Sequence, residues 1–361
     1  MVEDELPPKP SGPLRSGWTT GACAAAAARA AAQALATGRM PTTVAIRLPQ
    51  GQTPTFAVVG GTVGPDFAEA GIVKDAGDDP DVTHGAEIRV RLARNVAGQG
   101  LSFRAGTGVG TVTKPGLALA VGEPAINPGP RAIIAAALAE FGADWIVTVA
   151  IPDGEKRAAK TLNARLGIVG GLSVLGTTGI VTPYSCAAWI HSIHRGIDVA
   201  RAEGLAHVAA ATGSTSEAFV KRFYELPESA LLDMGDFAGG TLKYLRRYPV
   251  ARVTVAGGFA KLAKLAAGAM DLHSARSRVD ARYLADRLGA LGAAAEICEA
   301  AVAPDMSAGA VLGLARAANV PLAQRVARDA QRVAAEIAGP AIALDVLVVD
   351  RAGELIGQAG P

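Results

Sequence analysis

The sequence predicts an α+β N-terminal domain with a mainly antiparallel sheet, followed by an α/β Rossmann-like C-terminal domain. Three observations carry this. Short runs alternating apolar and polar residues, separated by Gly, Pro and Asp turns, fill the stretch 43–103. From about residue 200 the pattern becomes strand, glycine-containing loop and helix in repetition, the mark of a parallel sheet. The chain has 361 residues and a hydrophobic fraction of 50%, enough for two domains with sizeable cores.

Taken in order, residues 1–13 begin acidic and proline-rich and read as a disordered leader, wrong in composition for a signal peptide. The first domain is assigned to 14–200 and the second to 201–361. Gly17-Trp-Thr-Thr-Gly-Ala-Cys23 runs into a helix containing Ala24–Ala28, residues of the best helix propensity that bury little surface. Its exposed face is expected to be nearly bare, which suits tight packing on a sheet, or close approach of another backbone or of a ligand held by the free N–H groups at its start. Strands are expected at Thr43–Leu48, Thr55–Val59, Gly71–Lys74, Glu87–Leu92 and Leu101–Phe103. Pro128–Phe141 reads as a helix with Pro130 near its first turn, and Trp145–Ile151 as a buried strand. In the second domain Leu205–Ala211 is a strand, Thr212–Ser216 a loop and Glu217–Tyr224 the start of a helix. Ala230–Met234 and Arg252–Ala256 are further strands, 279–338 is mostly helical, and Ala343–Val349 returns as a late strand.

Composition narrows the function classes. With 35 basic and 33 acidic residues the net charge is +2, which points to neither a nucleic-acid partner nor an acidic tail. Cys23, Cys186 and Cys298 are far apart and odd in number, which argues against a disulfide framework and a zinc knuckle. No apolar run has membrane-spanning character, so a cytoplasmic protein is expected.

Several loops carry the candidate chemistry. Val73–Gly85 places Asp75, Asp78, Asp79, Asp81 and His84 at a strand end, a set suited to proton transfer, to metal binding or simply to a turn. Gly106-Thr-Gly-Val-Gly110, followed by Lys114, brings backbone close to its neighbours but lacks P-loop spacing. Lys160, Asn163 and Arg165 precede the loop Gly170–Pro183, whose N–H groups and hydroxyls, Thr177 and Thr178 among them, suit carboxylates. Thr212, Gly213, Ser216 and Glu217 stand where a first β–α loop binds a cofactor. Asp233 lies about 20 positions after Gly213, the spacing of a ribose-binding acid, and Asp236 competes for that role. No metal site is expected, because His191 and His194 have no third ligand in view.

Five long stretches in one order resemble the CbiD-type cobalt-precorrin-5B C1-methyltransferases of corrin (vitamin B12) biosynthesis. They are Gly17–Ala27, Lys74–Gly85, Gly106–Leu117 with Gly122–Pro128, Asn163–Val181, and Met234–Phe237. The sequence departs at Pro183-Tyr184-Ser185, where the family commonly has proline-methionine-serine, and at Gly257-Gly-Phe-Ala-Lys261, where a glycine-histidine pair is common. The resemblance implies transfer of a methyl group from S-adenosylmethionine to carbon 1 of the macrocycle. On that reading Thr212, Gly213, Ser216, Glu217, Asp233 and Asp236 hold the donor. Thr19, Thr20, Gly21, Lys114, Lys160, Asn163, Arg165, Thr177 and Thr178 face a cobalt-precorrin substrate, and Asp75, Asp78 or His84 assist a proton shift. Homo-oligomers and hand-over to neighbouring enzymes stay open. Two rival readings are an NAD-dependent oxidoreductase and a non-catalytic tetrapyrrole carrier.

Overall fold

The computed structural model describes residues 12–360, so the expected leader falls almost wholly outside the described residues. The described chain divides into two compact units between Ser185 and Cys186.

In the first unit, helix Thr20–Thr37 is capped by Thr19, whose Oγ1 accepts from Ala22 N at 3.2 Å, and ends at left-handed Gly38. The expectation of a bare exposed face is corrected here: Ala22–Ala28 are completely buried. Methyl side chains let the helix lie close to strands Phe67–Val73 and Glu87–Arg94 on one side and helix Pro128–Leu138 on another. Their sheet runs Val59–Val63, Phe67–Val73, Glu87–Arg94, Trp145–Ala150, Leu101–Ala105; the last pairing is parallel and the others antiparallel. Ile88, Val90 and Leu92 alternate inward along the middle strand, as a one-sided sheet requires. Beyond it, two-residue strands pair Gly17–Trp18 with Ile180–Val181 and Gly108–Val109 with Gly171–Leu172.

The second unit is built on strands in the order Leu231–Asp233, His207–Ala211, Arg252–Gly258, Ala343–Val349, Leu355–Ala359. The first four are mutually parallel and the last is antiparallel. Helix Cys186–Ala202 belongs to this unit, because Ile193, Ile197 and Ala200 pack into the core with Leu232 and Leu242. The boundary therefore falls at 185/186 rather than at 200. Near the N-terminal ends of these strands, buried Asp345 accepts from Tyr224 Oη at 2.7 Å, Thr254 Oγ1 at 2.8 Å and Arg252 Nε at 3.0 Å.

Candidate functional site

In the first unit the candidate loops are interlaced through their backbones. Trp18 N donates to Asp75 O at 2.7 Å, Thr19 N to Gly179 O at 3.0 Å and Gly21 N to Leu175 O at 3.2 Å. The approach demands glycine: a Cβ on Gly17 would lie 2.0 Å from the carbonyl carbon of Ala76. Thr19, Thr20 and Gly21 are thus buried beneath the 175–179 loop, while Thr177 is exposed and Thr178 is half-buried.

Arg15 draws the acidic loop onto the segment that leads into helix Thr20–Thr37. Its guanidinium grips Asp75 in bidentate fashion at 2.5 and 2.9 Å, and its backbone N–H donates to Asp78 Oδ2 at 2.6 Å. The Arg15 hydrogen bonds, helped by Gly77 N–H, hold the Asp75 carboxyl down at about 2, which makes Asp75 a weak base at neutral pH. His84 Nδ1 accepts from Ala76 N at 3.1 Å and stands 3.9 Å from Asp75 Oδ1. Asp75, Asp78 and His84 are therefore one cluster.

Lys74, which the sequence reading passed over, is the buried anchor of that loop. At 1% exposure its ammonium pairs with Asp81 and hydrogen-bonds Thr83. A lysine directly after an apolar strand and before an aspartate-rich turn was the sequence sign of it. Burial pushes the nearby Cys23 thiol up to about 12.

The remaining candidates of this unit gather on 160–172. Asn163 is buried and donates to Gly171 O at 3.2 Å, so its amide braces the loop. The Lys114 stem lies against Gly167, Arg165 is half-buried and Lys160 is exposed.

In the second unit the candidates meet at the carboxyl ends of adjacent parallel strands. Thr212 is buried, with its N–H on Ala256 O at 2.9 Å, and Ser216 Oγ is spent on Gly213 O at 2.8 Å. Glu217 lies on the following helix, half-buried. Asp233 ends its strand beside Ala211, and its carbonyl accepts from Trp189 Nε1 at 3.1 Å. Asp236 is 4% exposed. Sequence reasoning left Lys261 out of the site. Its ammonium donates to Thr212 O at 2.8 Å and stands 3.3 Å from Asp236 Oδ1, tying three strand ends together.

Similar chains are methyltransferases by name. A protein of Paramagnetospirillum magneticum called cobalt-precorrin-5B C(1)-methyltransferase is 58% identical over 96% of this chain and 98% of its own length. One of the same name from Bradyrhizobium is 58% identical over 96% of this chain and 94% of its own. A crystal structure of the cobalamin biosynthesis protein (cbiD) of Archaeoglobus fulgidus is similar at 27% identity, over 74% of this chain and 84% of that one, with a TM-score of 0.40. The CbiD family matches residues 8–183, and the CbiD C-terminal domain matches 271–360. The chain belongs to the CbiD family.

Proposed function

We propose that the protein methylates carbon 1 of cobalt-precorrin-5B, giving cobalt-precorrin-6A, with S-adenosylmethionine as donor. The observation that carries this is the near full-length identity to methyltransferases of that name. S-adenosylmethionine supplies an activated methyl on sulfur: the ring carbon forms the new C–C bond, the C–S bond breaks, and its electron pair returns to sulfur. What the protein adds is alignment and exclusion of water.

In this reading the second unit is Rossmann-like and holds the donor at Thr212–Glu217, with Asp233 and Asp236 beside it. Its strand order supports the reading. The chain leaves His207–Ala211 for Leu231–Asp233 on one side, then crosses to Arg252–Gly258 on the other. Ligands of open parallel sheets bind at the carboxyl ends where the order reverses in this way. The loops of the first unit then take the macrocycle, with Lys114, Lys160, Arg165, Thr177 and Thr178 offering donors to its carboxylates. Asp75, Asp78 and His84 flank it. Cobalt travels with the substrate.

Mass spectrometry after a single turnover with cobalt-precorrin-5B and S-adenosylmethionine tests the proposal. One added methyl on the macrocycle is expected. Tight macrocycle binding without methylation would replace the enzyme with a carrier. Thermal protection by NAD(H) but not by S-adenosylhomocysteine would favour an oxidoreductase.

A further inference from the structure

We infer that the open space in front of Gly213 and Gly258, on the neighbouring turns 212–214 and 257–259, takes the zwitterionic α-amino-acid end of the methyl donor. The carboxylate would lie against two helix N-termini and the ammonium against Asp236. This rests on the proposal that the second unit binds S-adenosylmethionine, and it says which end of the donor goes where.

The two turns follow adjacent parallel strands, and each opens a helix with a glycine. Gly213 precedes Ser214–Tyr224, and Gly258 precedes Phe259–Ala266. A Cβ on either glycine would meet nothing within 4 Å, so the space before both helix ends is open. The two turns are neighbours, since a Cβ on Gly257 would lie 2.7 Å from Thr212 Oγ1, and each N-terminus favours a small anion in front of it through free N–H groups and aligned peptide dipoles.

The second observation is independent of the helices. Asp236 is 4% exposed, and its Oδ1 has no hydrogen bond among the described residues. Lys261 Nζ stands 3.3 Å from that oxygen without hydrogen-bond alignment, and its donation to Thr212 O holds the ammonium beside the 212–214 turn. The unsatisfied buried acceptor calls for a donor from outside. A purely anionic ligand would leave that acceptor unmet, and a purely cationic one would leave the helix ends unmet. An α-amino acid carries both charges on one carbon.

Calorimetry with S-adenosylhomocysteine and with 5′-methylthioadenosine, which lacks the amino-acid end, separates the possibilities. The unmodified protein is expected to bind S-adenosylhomocysteine tighter by about tenfold or more. Asp236→Asn and Gly258→Val should each remove most of that margin while changing methylthioadenosine affinity by no more than about twofold. Gly258→Val enters open space at an extended backbone position, so it decides the matter even where Asp236→Asn lowers the melting temperature. Equal weakening of both ligands by these variants, or equal affinity of the unmodified protein for the two, would overturn the inference. Binding of neither ligand would instead overturn the donor reading beneath it.

Discussion

In the first unit the loops close backbone on backbone, through glycines that leave no room for a Cβ. In the second, Gly213 and Gly258 at the strand ends stand before open space, on turns tied by charged side chains. Gly17 and Gly108 stand for the first kind, Gly213 and Gly258 for the second. The difference teaches that a glycine-rich motif has two physical meanings. One fixes a shape by close approach, and the other leaves space for a ligand.

The largest expected effect tests that distinction. Gly108→Ala would set a Cβ 1.9 Å from Ile151 O at a residue with φ of +73°, costing about 3 kcal/mol or more from clash and left-handed strain together. Gly213→Ala should stay within about 0.5 kcal/mol. Urea unfolding of the two variants compares them directly, and equal losses would erase the contrast.

Next comes Lys74→Met, which strips the buried partner from Asp81. Because the Asp81 side chain is 23% exposed, the loss is discounted to about 2 kcal/mol. Chemical denaturation should show it in the first unit. Tyr224→Phe, in the second, removes one hydroxyl from the Asp345 network and should cost about 1 kcal/mol by the same measurement.

The smallest effect on stability, and the clearest on titration, is Arg15→Ala. Asp75 titrates at about 2 in the folded protein, below its ordinary 3.8. A depressed folded value means the stabilisation is present above the unfolded value and is lost as pH falls from 3.8 through about 2. Removing Arg15 should return Asp75 toward the ordinary carboxylate range in an NMR titration and flatten stability across that window. An Asp75 that still titrates near 2 without Arg15 would transfer the credit to Gly77 N–H.

The sequence shows regular elements where side chains alternate or repeat. The run Glu87–Leu92 lies within strand Glu87–Arg94, and Ala343–Val349 has the bounds expected of it. The pairings Gly17–Trp18 with Ile180–Val181 and Gly108–Val109 with Gly171–Leu172 were not legible, because two-residue strands made by glycine backbones leave no periodic trace. The sequence places residues 186–200 in the first domain, whereas the compact units divide between Ser185 and Cys186, because no linker composition marks residue 185. The alanine helix left two readings open for a physical reason: small side chains suit a ligand wall and a tightly packed core equally, and burial decides for the packed core. Candidate loops were visible as clusters of Gly, Thr and Asp. Lys261 was not, because its partners Thr212 and Asp236 are brought close to it by folding.

Hydrogen–deuterium exchange with S-adenosylhomocysteine alone tests most directly the division of the donor and macrocycle sites between the two units. Protection is expected at 212–217, 233–236 and 257–261, with 17–22, 74–85 and 170–179 unchanged. Protection confined to those first-unit loops, with the strand ends of the second unit exchanging as before, would contradict it.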